Sequence, residues 1–224
     1  FANLYSSVAF AQNPSDLTTA EALFDAGRRL MRENNFVDAC PKFEQSMKID
    51  DGIGTRLWLA DCYEKSGRIA SAWSQFRQAS WMASRVSDPR AEVGKSKAAA
   101  LEPRLPRLVI EVPSDRRLPG LIVERDGVPV VTEVFGIAVP LDPGPHRVEG
   151  RVPGKPSFAI TVEMPEGKQQ WVTIPQWGGV APSHTDSRLH SRSEPPGDSR
   201  ESSHASSSSW LPFSLVGVAL VSLS

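Results

Sequence analysis

Shifting the first half of this sequence by 33 residues superimposes like on like: Ala26 falls on Leu59, Gly27 on Ala60, Leu30 on Tyr63, Phe36 on Ile69, Ala39 on Ala72, Phe43 on Phe76 and Ser46 on Ala79. A period of this length marks a supersecondary unit that cannot bury its apolar face alone and must stack on its neighbours. The small residues Gly27, Ala39, Ala60 and Ala72 let two antiparallel helices approach closely, while Leu30, Phe43, Tyr63 and Phe76 fill the space between them. Each unit is therefore expected to be a helix hairpin.

Local signals set the limits of these hairpins. Thr18 with Glu21 reads as a capping box opening the first helix, Asn34-Asn35 as its turn, Asp50-Asp51-Gly52 as the break between units and Gly67 as the second turn. Pro41 is expected in the first turn of its helix, where a missing N–H costs little. Two units are fewer than the three that normally close a stack. Ser87-Asp88-Pro89 starts the helix expected to close this one, Ala91 to Leu101, against the Trp73, Phe76 and Ala83 side of the second unit. Trp58, Trp73 and Trp81 read as core or groove residues rather than cofactor contacts.

From Leu105 onward the apolar period shifts toward two. Seven short Val/Ile-rich segments follow: 108–112, 121–124, 128–131, 136–141, 146–152, 157–162 and 171–174. Asp126-Gly127, Asp142-Pro143-Gly144 and Pro153-Gly154 stand between them, and Asp-Gly between apolar runs is a strong hairpin signal. The expected fold class is multidomain, α then β, with helical hairpin repeats followed by a small all-β sandwich of immunoglobulin-like layout.

The residues Gly27, Ala39 and Phe43, then Ala60, Tyr63, Ala72 and Phe76, resemble the tetratricopeptide repeat over about residues 20–86. Asp51 stands where that repeat usually has Pro, and its Trp near the start is lacking. The runs V-E-R-D-G-V-P-V, V-P-L-D-P-G-P-H-R-V and P-G-K resemble the PEGA-type surface module of bacteria over about residues 120–175, on Asp126, Gly127, Pro143, Gly144, His146, Pro153 and Gly154. With A-C-P-K-F-E-Q-S and L-A-D-C-Y-E-K, the whole is similar to Gram-negative envelope proteins that join such repeats to a PEGA-type domain and a C-terminal membrane helix. The resemblance implies extracytoplasmic binding or scaffolding and no established activity.

Five regions are expected: residues 1–11 as the remnant of a signal peptide, 12–103 helical, 104–177 the sandwich, 178–209 a disordered tether and 210–224 a hydrophobic segment. Ala9-Phe10-Ala11 has the small-x-small pattern of a cleavage site, so export is expected. The tether is Ser, Pro, Gly, His and Arg with scarcely an apolar residue to offset ordering entropy. Residues 210–224 carry no charge and are shorter than the about 20 residues of a span, so they read as the start of a transmembrane helix or as a short apolar tail, the first favoured by Trp210 at the boundary.

A balance of 25 basic and 26 acidic side chains provides no clustered charge for nucleic acid. Gly94-Lys95-Ser96 lacks the earlier Gly and the preceding strand of a phosphate-binding loop, Pro89 standing where that Gly should be. His184, His190 and His204 lie in the tether and His146 in a strand, so no metal site and no cofactor are expected. With no nucleophile, base and orienting group together, the chain does not read as an enzyme.

Cys40 and Cys62 fall on neighbouring helices, either as a bridge or as two buried thiols. The tetratricopeptide resemblance implies that the first helices of the hairpins line a concave face, which makes Phe24, Arg28, Met31 and Arg32 with Leu57, Asp61, Glu64 and Lys65 a candidate partner-binding groove, where Arg28 and Arg32, one turn apart, would clamp a carboxylate of a partner peptide. The expected function is a tethered, non-enzymatic adaptor whose repeats engage a protein or peptide. The alternative is a surface protein that binds cell-wall glycan through Phe135, Phe158, Trp171 and Trp177 on one open sheet face.

Overall fold

The structure is a computed structural model that describes residues 14–177. The expected signal-peptide remnant, the tether and the hydrophobic segment lie outside the described residues. Five helices come first, α1 (Pro14–Arg32), α2 (Phe36–Ile49), α3 (Ile53–Lys65), α4 (Ile69–Arg85) and α5 (Arg90–Leu101). Among the described residues, no helix is long and apolar enough to cross a membrane.

The turns form where their residues permit them. Asn34 and Gly67 take left-handed φ of 56° and 81° at the two hairpin bends, and the Asn35 side chain caps α2 by accepting from the Asp38 N–H at 3.3 Å. Two expectations need correction. Thr18 and Glu21 lie inside α1, which is already helical at Pro14, and the Thr18 hydroxyl donates back to the Ser15 carbonyl at 2.9 Å, so they form no capping box. Pro41 sits in the second turn of α2, where it removes the N–H that would bond the Val37 carbonyl.

Small residues allow the helices to approach. A Cβ on Gly27 would lie 2.8 Å from the Phe43 ring, and one on Gly94 would lie 2.7 Å from the Phe76 carbonyl oxygen. The glycine of the rejected phosphate loop is thus the point where α5 seats on α4. Phe43, Leu59, Ala60, Ile69, Ala72, Phe76 and Leu101 are buried in one helical core.

Seven strands follow, β1 (Arg107–Glu111), β2 (Ile122–Arg125), β3 (Val128–Pro129), β4 (Val139–Pro140), β5 (Gly144–Arg151), β6 (Phe158–Met164) and β7 (Gln169–Thr173). They form two sheets, ordered β4-β1-β7 and β3-β2-β5-β6, over one core that includes Leu108, Ile110, Val123, Val148, Met164 and Val172. The first sheet is mixed: β1 runs parallel to β7, pairing Val109 with Trp171, and antiparallel to β4. Asp126 and Gly127, at φ 51° and 78°, make the tight β2–β3 turn.

The helices and the sheets are joined directly. Leu105, just before β1, is buried in the helical core, and the β6–β7 turn leans on the end of α5 through Gly167 N–H to the Arg104 carbonyl at 2.8 Å and Arg104 to Glu166 at 2.6 Å. On the other side the β4–β5 turn reaches the start of α4, where Asp142 meets Ser71.

Candidate functional site

α1 and α3, the first helices of the two hairpins, and α5 share one face of the array. On it Phe24 packs edge-on against Phe43 and Trp58, with ring centroids 5.7 and 6.3 Å apart, and Trp58 stacks on Phe43 at 6.1 Å. Arg28 closes this aromatic group, its guanidinium carbon 5.8 Å from the Phe24 centroid and 5.4 Å from that of Trp58. It also pairs with Asp25 at 3.5 Å, but its buried Nε has no hydrogen-bond partner among the described residues. The Nε atoms of Arg56 and Arg116 are likewise buried without a partner, whereas the Arg28 side chain as a whole is 43 % exposed, so part of its guanidinium faces solvent.

Beside the aromatic group, Leu57, Trp58, Asp61, Phe76, Val93 and Lys97 line a hollow of about 210 Å³ between α3 and α5. Val93 is 52 % exposed, a large apolar side chain open to solvent.

The expected groove residues divide on this face. Phe24, Arg28, Leu57 and Asp61 are half-buried and contribute to it. Met31 does not: at 6 % exposed it belongs to the helical core, because it continues the buried row of Ala20 and Gly27 along α1. Arg32 is exposed at the end of α1 and Arg28 is held against the rings, so the two do not form a matched pair. Glu64 pairs with Lys97 of α5 at 3.4 Å and Lys65 with Asp61 at 2.7 Å, which internally balances these charges. Val93 and Lys97 were not expected here, since the Ala-rich pattern of α5 gives no contrast between its faces.

Cys40 of α2 and Cys62 of α3 form a disulfide that ties the first hairpin to the second, with Cα atoms 5.6 Å apart. Next to it the Tyr63 hydroxyl donates to Glu44 at 2.6 Å while Arg68 lies 4.0 Å over the ring. Burial first, and then the bond to Glu44, push the Tyr63 hydroxyl well above its ordinary pKa.

A second, polar cleft lies between α4 and the sheets, lined in part by Tyr63, Ser71, Arg125, Asp126, Asp142 and His146. Ser, His and Asp meet here without the order that nucleophilic catalysis needs. The Ser71 hydroxyl donates to Asp142 at 2.6 Å, whereas His146 Nε2 faces the Asp142 main-chain oxygen at 2.9 Å and Nδ1 the Asp126 carboxylate at 2.7 Å. The imidazole does not reach the hydroxyl, which donates to a carboxylate instead. Both neighbours of the imidazole are acceptors, so the ring donates to both only when both its nitrogens carry hydrogen. Burial works against ionisation of Asp126, but hydrogen bonds from His146 and the Arg147 N–H outweigh it and hold the carboxyl below its usual range.

The four aromatics of the sheet region do not share an open face. Phe135, Phe158 and Trp177 pack against the sheet core, and the Trp177 indole donates to the Arg116 carbonyl at 3.1 Å. Trp171 alone of the four is exposed, on the outer face of β7. Among the described residues no group of three or more His, Cys, Asp or Glu is placed to hold a metal ion. In comparisons with known proteins, no family model matches this chain and no curated protein matches it.

Proposed function

We propose that this protein is a non-enzymatic, exported adaptor whose helical array engages a carboxylate-bearing segment of a protein partner on the face shared by α1, α3 and α5. The observation that carries the reading is Arg28. Its guanidinium is fixed over Phe24 and Trp58, its Nε is buried without an acceptor, and an open apolar hollow at Leu57 and Val93 lies next to Trp58. A partner's acidic group would pair with the solvent-facing part of the guanidinium while an apolar side chain fills the hollow, and aromatic and Arg side chains are the usual anchors of such contacts. Arg32, exposed and without an ion pair among the described residues, supplies long-range attraction to the same acidic segment.

The tetratricopeptide-like spacing of the small residues supports a peptide-binding role for the helices, and the PEGA-type turn pattern supports a spacer or second-contact role for the sheets. The Cys40–Cys62 bridge supports export, since disulfides persist in oxidising compartments. The uncharged, apolar composition of 210–224 supports membrane association within the same proposal.

The test is crosslinking in the native cell with identification of what is attached, comparing wild type with Arg28→Glu/Arg32→Glu. A discrete protein partner lost in the variant supports the proposal. Recovery of wall glycan alone, unchanged in the variant, contradicts it.

A further inference from the structure

Trp73, Arg77, Trp81 and Arg85 recur at four-residue spacing along one face of α4. The Arg77 guanidinium carbon lies 4.6 Å from the Trp73 ring centroid and that of Arg85 lies 4.9 Å from the centroid of Trp81. Trp81 is 53 % exposed, and both arginines are exposed with no carboxylate paired to them among the described residues. The nearby acid Glu102 is already engaged, by the Trp73 indole N–H at 2.6 Å and by Arg107 at 2.8 Å. The result is an aromatic, positively charged ridge on a chain whose net charge is −1.

Beside the ridge runs a groove of about 320 Å³ between α4 and α5, walled by Trp73, Arg77, Ser80 and Trp81 and by Lys95, Ala98 and Ala99, with the already engaged Glu102 at its end. In the array α1 pairs with α2 and α3 with α4, but α5 packs on α4 and is followed by the short turn Glu102–Arg104 and then β1. The groove is therefore where the next helix of the stack would lie, and among the described residues no helix fills it.

We propose that this groove receives an acidic amphipathic helix from a partner protein, at a surface separate from the face of Arg28. A helix fits because residues four apart form a ridge with a repeat of about 6 Å, placing Arg77 and Arg85 about 12 Å apart, and an apposed helix offers carboxylates at the same eight-residue interval with apolar residues between them. Acidity fits because each guanidinium is already ordered on its ring and so loses little freedom when it meets a carboxylate. Small Ala98 and Ala99 on α5 let the incoming backbone come near. A sugar ring is the poorer occupant, since Arg77 and Arg85 already cover a face of each indole.

The test is selection of helical peptides of about 20 residues from a randomised display library on the immobilised full-length protein, with affinities then measured for wild type and Arg77→Glu/Arg85→Glu. The proposal expects selected peptides with Asp or Glu at four- or eight-residue intervals, weakened about tenfold or more by the double variant and by Trp81→Ala, and unaffected by Arg28→Glu. Should charge reversal unfold α4, Arg77→Gln/Arg85→Gln provides the same comparison, with circular dichroism as the check on folding. Peptides without acidic periodicity, or peptides bound as tightly by the double variant, overturn the proposal. So does a groove filled by a second copy of the chain, seen as self-association that the double variant abolishes.

Discussion

Asp142 accepts two hydrogen bonds from Ser71, one from its main-chain N–H at 2.8 Å and one from its hydroxyl at 2.6 Å. Ser71 is the third residue of α4, and Arg68 at the N-cap of that helix has no side-chain acceptor to offer. A carboxylate from the β4–β5 turn, 71 residues away in sequence, therefore caps the helix and places negative charge at the positive end of its dipole. One of the contacts that hold the helices to the sheets thus also completes a helix.

Removing that cap has a measurable cost. Asp142→Ala should lower the unfolding free energy by about 1–2 kcal/mol, the usual worth of an N-cap, with Asp142→Asn losing less because it still accepts. Urea denaturation of wild type and both variants checks this, and an unchanged midpoint in Asp142→Ala would show that the turn does not cap α4.

The cap also shows where reading the sequence stops. Both hairpins are legible because the small residues Gly27, Ala39, Ala60 and Ala72 mark close helix contacts, and because Asn34 and Gly67 stand where the backbone must turn left-handed. The seven strands are legible because Gly, Pro and Asp punctuate them. Asp142 reads only as a turn former, since its partner lies in another region, and the parallel pairing of β1 with β7 is equally non-local. Phe24, Arg28, Leu57 and Asp61, which the repeat resemblance put on one face, are half-buried there. Met31 fell on the wrong side of the boundary although its four-residue spacing from Gly27 continues the buried row.

Gly94 sets two effects against each other. Ala is favoured over Gly in a helix by about 1 kcal/mol. Here, however, its Cβ would meet two backbone atoms, the Phe76 oxygen at 2.7 Å and the Ser80 nitrogen at 2.9 Å, and overpacking costs about 1–3 kcal/mol. Gly94→Ala should therefore lower the melting temperature. A rise would mean that α5 does not seat closely on α4.

The Cys40–Cys62 bridge closes a loop across a sequence separation of 22, which corresponds to about 3 kcal/mol of chain entropy removed from the unfolded state. Denaturation with and without reductant should differ by about that amount. Alkylation of the native protein before reduction should label no cysteine.

Among the described residues, three carboxyls are held below their ordinary range in the folded chain. The Arg90 side chain lowers Asp88 to about 2, Arg104 lowers Glu166, and Asp126 is lowered by His146 and Arg147 against the opposing effect of burial. As pH falls, the unfolded chain takes up these protons first, so stability present above the ordinary carboxylate range is lost between about pH 5 and pH 2. Asp126→Asn should flatten part of that fall, read as the urea midpoint against pH. An identical slope in the variant would place the acid sensitivity elsewhere.

The claim that the face shared by α1, α3 and α5 binds a protein partner is tested most directly by placing a photoreactive side chain at Val93, in the hollow, and at Val37, 84 % exposed on α2, in the full-length protein within its native cell. The account predicts one discrete protein adduct from Val93, absent from Val37 and lost when Arg28 is changed to Glu. Equal adducts at both positions, or a Val93 adduct that survives Arg28→Glu, would contradict it.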